Sequence, residues 1–163
     1  MEFVKQNKPI YRLRKLKYVL LIVVQAFIWL NSMQNGTASS SLSSGLVNEL
    51  LAVFSNIIPF NVSLEVLHIF VRKLAHFSEY ALLGILIFIV IKLYTNNLAI
   101  LTFGSISYSF IVACIDELIQ TQVPGRSGCF TDVMIDVSGA TIFILISVIV
   151  VLEKRRKEKK IGI

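Results

Sequence analysis

Seven ionisable or hydrogen-bonding side chains recur at one end of three successive apolar segments of this 163-residue chain. His76 and Glu79 open one segment, Asp116, Glu117 and Gln120 close the next, and Asp132 and Asp136 open the last. Imidazole and carboxylate oxygens are usual ligands of divalent metals. The same groups could serve as general acid and base, since crowded carboxylates shift one another's pKa values. Arg72, Lys73 and Arg126, near them in sequence, could clamp a phosphate or pyrophosphate, arginine bidentately. A fourth reading is structural: the charges neutralise one another and lock a bundle. Spacing does not choose among the four.

The segments that must position these groups are membrane-like. The chain is 55% hydrophobic and only 16% charged, against about 25% charged in ordinary soluble domains. Its mean hydropathy is +0.75. A hydrocarbon core of about 30 Å needs ~20 apolar residues, and residues 74–94 and 133–152 supply them. Residues 98–115 form an 18-residue stretch without charge. Residues 18–33 are the shortest candidate, with a largely apolar run from Tyr18 to Leu30 of only 13 residues. The composition predicts an all-α integral membrane bundle of four transmembrane helices forming a single domain over residues 1–163. Antiparallel neighbours would bring the three polar segment ends to one face. A charge in hydrocarbon costs roughly 2.5–3.5 kcal/mol at the centre of a span and persists where it pairs or works. Asp136, inside an apolar run, therefore calls for Arg126, Lys73 or a hydroxyl as neighbour.

The net charge of +6 lies at the two ends. Lys5, Lys8, Arg12, Arg14, Lys15 and Lys17 fill the basic tail 1–17. Lys154, Arg155, Arg156, Lys157, Lys159 and Lys160 fill the tail 153–163. Both flank apolar segments, so the positive-inside rule puts both termini in the cytoplasm of a multi-pass cell-membrane protein. Anionic membrane lipids are the expected partners of such tails. Nucleic acid is not, because the tails lack aromatic residues interleaved with the basic ones. Two inner termini require an even number of crossings, and the polar site then lies at the outer face. The first segment has a second reading. A basic region, a 13-residue apolar core and small residues at Gly36, Ala38 and Ser39 also resemble a cleaved signal peptide. Cys114 and Cys129 are too few for a zinc pattern.

Between the first two segments, Gly36 to Gly45 is a Ser-rich linker. Leu46, Leu50, Val53, Phe54 and Ile57 then recur at helical spacing until Pro59. They predict an extracytoplasmic amphipathic helix, lying on the membrane, capping the bundle or packed on protein alone. After Asn61 a second helix is predicted to run unbroken into the span. Glu65, His68, Arg72, His76 and Glu79 share one of its faces. For Glu65 and His68 a solvated face suffices; His76 and Glu79 fall where the apolar span has begun.

Arg72, Lys73, His76, Phe77, Glu79 and Tyr80, then Asp116, Glu117 and Gln120, then Pro124, Gly125, Arg126, Ser127, Asp132 and Gly139 form an ordered set. This set resembles the VanZ-like family, small bacterial membrane proteins named after an accessory determinant of teicoplanin resistance. The resemblance covers about Arg72 to Ala140, and it departs at Asp136, where the family pattern usually carries Asn. It adds Tyr80 to the site and implies antibiotic resistance, a lowered sensitivity to glycopeptides that bind cell-envelope precursors. It carries over no catalytic residue. The leading expectation is a polar site at the outer membrane face that binds a headgroup, an envelope precursor or the glycopeptide itself. The alternative is a membrane-embedded enzyme acting on a lipid-linked envelope substrate, with His76 as acid or base. Transport fits least, since four short spans without a repeat leave little room for alternating access.

Overall fold

The computed structural model describes residues 8–34, 64–124, 126 and 128–162. Among these the chain is all-helical, with α1 (Lys8–Ser32), α2 (Leu64–Ile91), α3 (Leu98–Thr121) and α4 (Phe130–Ile161). The linker 36–45 and the amphipathic helix expected over 46–57 lie outside the described residues.

The helices are longer than the spans expected from hydropathy. The 28 residues of α2 reach about 42 Å at 1.5 Å per residue, well beyond the hydrocarbon thickness. The polar face predicted before the second span and the span itself are therefore one rod. Asn97 starts α3 by accepting hydrogen bonds from the backbone N–H groups of Ala99 (2.9 Å) and Ile100 (3.4 Å), satisfying donors that have no partner within a helix's first turn. α3 continues past 115 to Thr121, so Asp116, Glu117 and Gln120 belong to the helix and not to the following loop. α4 likewise carries its basic end on as helix, until Gly162 closes it in the left-handed conformation at φ 76°. Three of the helices, α2, α3 and α4, are long and apolar enough to cross a membrane. α1 is not among them, since five basic residues up to Lys17 share its 25 residues with the apolar stretch.

The connections after α2 and α3 are short, and α2, α3 and α4 fold back on one another. α2 and α3 form a central pair, with α1 packed against both from one side and α4 against both from the other. Ile28, Leu83, Leu101 and Ile144 are wholly buried at the centre. Phe103, Ile111, Leu118, Ile149 and Val150 point outward, while Ser105, Ser109, Asp116, Gln120 and Asp136 are buried. Apolar side chains outside and polar ones within suit a hydrocarbon surround, where burying apolar surface between helices gains little. Polar contacts also fasten the bundle along its length. The Tyr108 hydroxyl donates to Gln25, the Tyr18 and Tyr94 hydroxyls bond each other, and Arg155 donates to the Asn96 carbonyl at 2.6 Å.

The tightest crossing joins α2 to α4. A Cβ on Gly84 would lie 2.8 Å from the Ala140 carbonyl oxygen, and one on Gly139 would collide with the Phe77 carbonyl. Small residues let two backbones touch there. We predict that Gly139→Val or Gly84→Val in detergent costs about 1–3 kcal/mol from overpacking, lowering the apparent melting temperature. At Gly104 a Cβ would meet only a movable Ile91 methyl at 3.3 Å, so Gly104→Ala serves as the control. A Gly139→Val protein as stable as its parent would contradict the crossing.

Candidate functional site

The polar residues converge at the end of the bundle where α1 stops, α2 begins, α3 stops and α4 begins. Asp116 projects inward from α3 with no exposed surface. Its Oδ2 accepts a hydrogen bond from Gln120 Nε2 at 3.1 Å, one turn further along the same helix. His76 of α2, its side chain 15% exposed, brings Nδ1 to 4.0 Å from that oxygen. Asp136 of α4 is 2% exposed and completes a group whose ligand-capable atoms all lie within 4.8 Å of one another: His76, Asp116 and Asp136. It is the group of metal-ligand type that the described residues bring together.

Around this centre, each helix end is tied to another. Glu117, turned away from Asp116 on α3, accepts the backbone N–H of Cys129 just before α4. A carboxylate at a helix N-terminus satisfies an orphan donor and suits the helix dipole. Lys73 and Asp132 form an ion pair between α2 and α4 at the rim, with side chains 34% and 24% exposed. Arg126 donates from Nη1 to the Ser32 carbonyl at 3.1 Å, a cation at the C-terminal end of α1. Asn31 donates to Glu79 at 2.8 Å. The Tyr80 hydroxyl is fully buried beneath, where the charges of Asp116 and Asp136 act on it most strongly. Arg72 lies close enough for its charge to act on His76 and Arg126. Glu65 stays exposed, in keeping with a solvated face.

Two expectations change. Of the neighbours expected for Asp136, the two cations go elsewhere among the described residues: Lys73 meets Asp132 and Arg126 meets α1, while Asp136 gathers with an imidazole and a second acid above the Tyr80 hydroxyl. The site also draws on α1, whose Asn31 and Ser32 spacing alone did not select. Ser32 is wholly buried, and its hydroxyl lies 3.5 Å from Gln120 Nε2. The signal was there: a polar pair closes the first apolar segment, in register with the other polar ends.

Several atoms of this cluster are buried without a hydrogen-bond partner among the described residues, including His76 Nδ1, Asp116 Oδ1, Glu79 Oε2, Glu117 Oε2, Tyr80 OH and Arg126 Nε. Unpartnered polar atoms are costly and usually mark a place where something binds or reacts. The chemistry open to the group is metal ligation, proton transfer between imidazole and carboxylate, and anion binding at the cationic rim.

Three helices long and apolar enough to cross a membrane, with a buried acid–imidazole cluster at one end, suit a helical membrane protein. A family model described as VanZ/LLP1 matches residues 17–151, and the chain belongs to that family. No curated protein and no solved structure matches it.

The two kinds of contact predict different costs. Gln120→Leu deprives a buried carboxylate of a donor and should cost about 1–3 kcal/mol. Lys73→Met breaks only a half-exposed ion pair and should cost under about 1 kcal/mol. Unfolding of the two variants in detergent checks the order, and the reverse order would refute it.

Proposed function

We propose that this VanZ-family membrane protein acts through the polar site at the outer face of the cytoplasmic membrane. There it engages the phosphate-bearing headgroup of an envelope lipid or precursor, and so lowers sensitivity to glycopeptides such as teicoplanin. The observation that carries the reading is the cationic rim. Arg126, Arg72 and Lys73 gather around His76, and Arg126 keeps a buried Nε without a partner among the described residues, the arrangement that bidentate phosphate binding uses. The orientation is supported by charge: the basic starts and ends of α1 and α4 lie at the end of the bundle opposite the site, and positive segments stay inside. Both basic ends inside require an even number of crossings, so in this reading α1 crosses with the other three despite its shorter apolar stretch.

Expression in a glycopeptide-sensitive host should raise the teicoplanin concentration the cells tolerate. Arg126→Ala should abolish the rise at unchanged protein level. An unaltered resistance in that variant would remove the reading. Orientation has its own probe in Cys129, exposed in the turn before α4. Hydrogen bonds from the Thr131 side chain and backbone hold its thiol below the usual range, which favours the reactive thiolate. A membrane-impermeant thiol reagent should label Cys129 in intact cells of a Cys114→Ser background. Labelling only after lysis would reverse the topology.

A second reading, an enzyme acting on a lipid-linked envelope substrate, is favoured by His76 standing beside two buried carboxylates. His76 would then move a proton, with Asp116 as orienting partner and Glu117 and Asp132 assisting. Purified protein that turns over no lipid-linked envelope substrate would dispose of it.

A further inference from the structure

We infer that His76, Asp116 and Asp136 form a binding site for one divalent transition-metal cation, of the zinc or manganese type. This goes beyond the headgroup-binding reading and does not rest on it. The three side chains come from three different helices and present one nitrogen and two carboxylate oxygens within 4.8 Å of one another. In a tetrahedral site with arms of about 2.1 Å the ligand atoms stand about 3.4 Å apart. The His76 Nδ1 to Asp116 Oδ2 separation of 4.0 Å closes to that by small side-chain rotations.

Independent of the spacing, the orphaned atoms point to the same spot. Asp116 is fully buried, and among the described residues its Oδ1 has no hydrogen-bond partner, nor does His76 Nδ1. Tyr80, also fully buried, has a hydroxyl without a partner, under the charges of Asp116 and Asp136. A cation held by the Asp116 carboxylate would satisfy His76 Nδ1 directly and would take the tyrosine oxygen or a water as its fourth ligand. The structure around the ligands matches what metal sites need. Gln120 holds Asp116 in place through Oδ2, and ligating carboxylates are commonly fixed by such outer hydrogen bonds. Two aspartates that would repel in a medium of low dielectric are neutralised by a double positive charge. The ligand types select the ion. Calcium wants six to eight oxygens and magnesium a near-ideal octahedron of oxygens and waters, whereas imidazole with carboxylates suits zinc, manganese or iron(II).

The full chain, purified in detergent and stripped with EDTA, should be incubated with Zn²⁺ or Mn²⁺ and desalted. It should then retain about one ion per chain by elemental analysis. His76→Gln and Asp136→Asn should each weaken retention by about tenfold or more, while Asp132→Asn, at the rim, should leave it unchanged. The wild type provides a readout that needs no variant: its apparent melting temperature should rise with Zn²⁺ or Mn²⁺, fall with EDTA, and ignore Mg²⁺. Wild-type protein that retains neither ion and melts identically with and without them would overturn the inference. So would His76→Gln and Asp136→Asn proteins that keep the full metal content. Teicoplanin tolerance reports separately: a metal-free protein that still confers it would sink the metal site and leave the headgroup reading standing.

Discussion

Asp116 and Asp136 set the terms for everything else in this bundle. Both are almost completely buried, on helices whose outward faces are apolar. An isolated carboxylate at the centre of a span costs roughly 2.5–3.5 kcal/mol, so it is held there only where other polar groups meet it. The chain meets that cost by bringing four helix ends to one place. Gln120 and Ser32 come from the ends of α3 and α1, and His76 comes from α2. Helix order, turn length and direction all follow from making those ends coincide.

The steric part of the fold serves the same point. Phe77, whose carbonyl touches Gly139, is the residue after His76. Gly139 follows Asp136 by almost one helical turn, so it lies on the same side of α4. The closest backbone contact in the bundle therefore sits directly behind the contact between imidazole and carboxylate. A side chain at position 139 would push α4 away from α2 and take Asp136 with it. Gly84 against Ala140 repeats the contact further along the same pair of helices. Packing and polar chemistry are not separable here, because one crossing point delivers both.

Much of this was legible in the sequence. Segment ends that alternate in direction yet carry the same residue types imply one shared face, and the structure gathers His76, Asp116 and Asp136 there. The run from Glu65 to Glu79 at helical steps reads as one face of one rod, and α2 is continuous across it. What spacing could not give was the pairing. Lys73 chooses Asp132, Arg126 chooses the end of α1, and Glu117 chooses the backbone before α4. These choices depend on how helices rotate about their axes and on side-chain reach, which a one-dimensional pattern does not hold. Hydropathy also ended the spans too early, since Asp116, Glu117 and Gln120 lower a hydropathy average while remaining well inside a helix.

The charges are layered by depth, and the layering constrains what can bind where. The rim is cationic and partly exposed, with Arg72, Lys73 and Arg126. Beneath it lie His76 and the two aspartates. An anionic headgroup driven deeper than the rim would meet carboxylates, and the repulsion would grow as water is lost. Any anion binding would therefore be confined to the rim. A cation, by contrast, is drawn inward past the same arginines only where the acids beneath outweigh them. The two layers also influence each other. A double positive charge held by His76, Asp116 and Asp136 would cancel the negative field under the rim and strengthen the hold of Arg126 and Arg72 on a phosphate. An intramembrane cation and a surface anion at this site would then bind cooperatively, each stabilising the other by the same coupling energy.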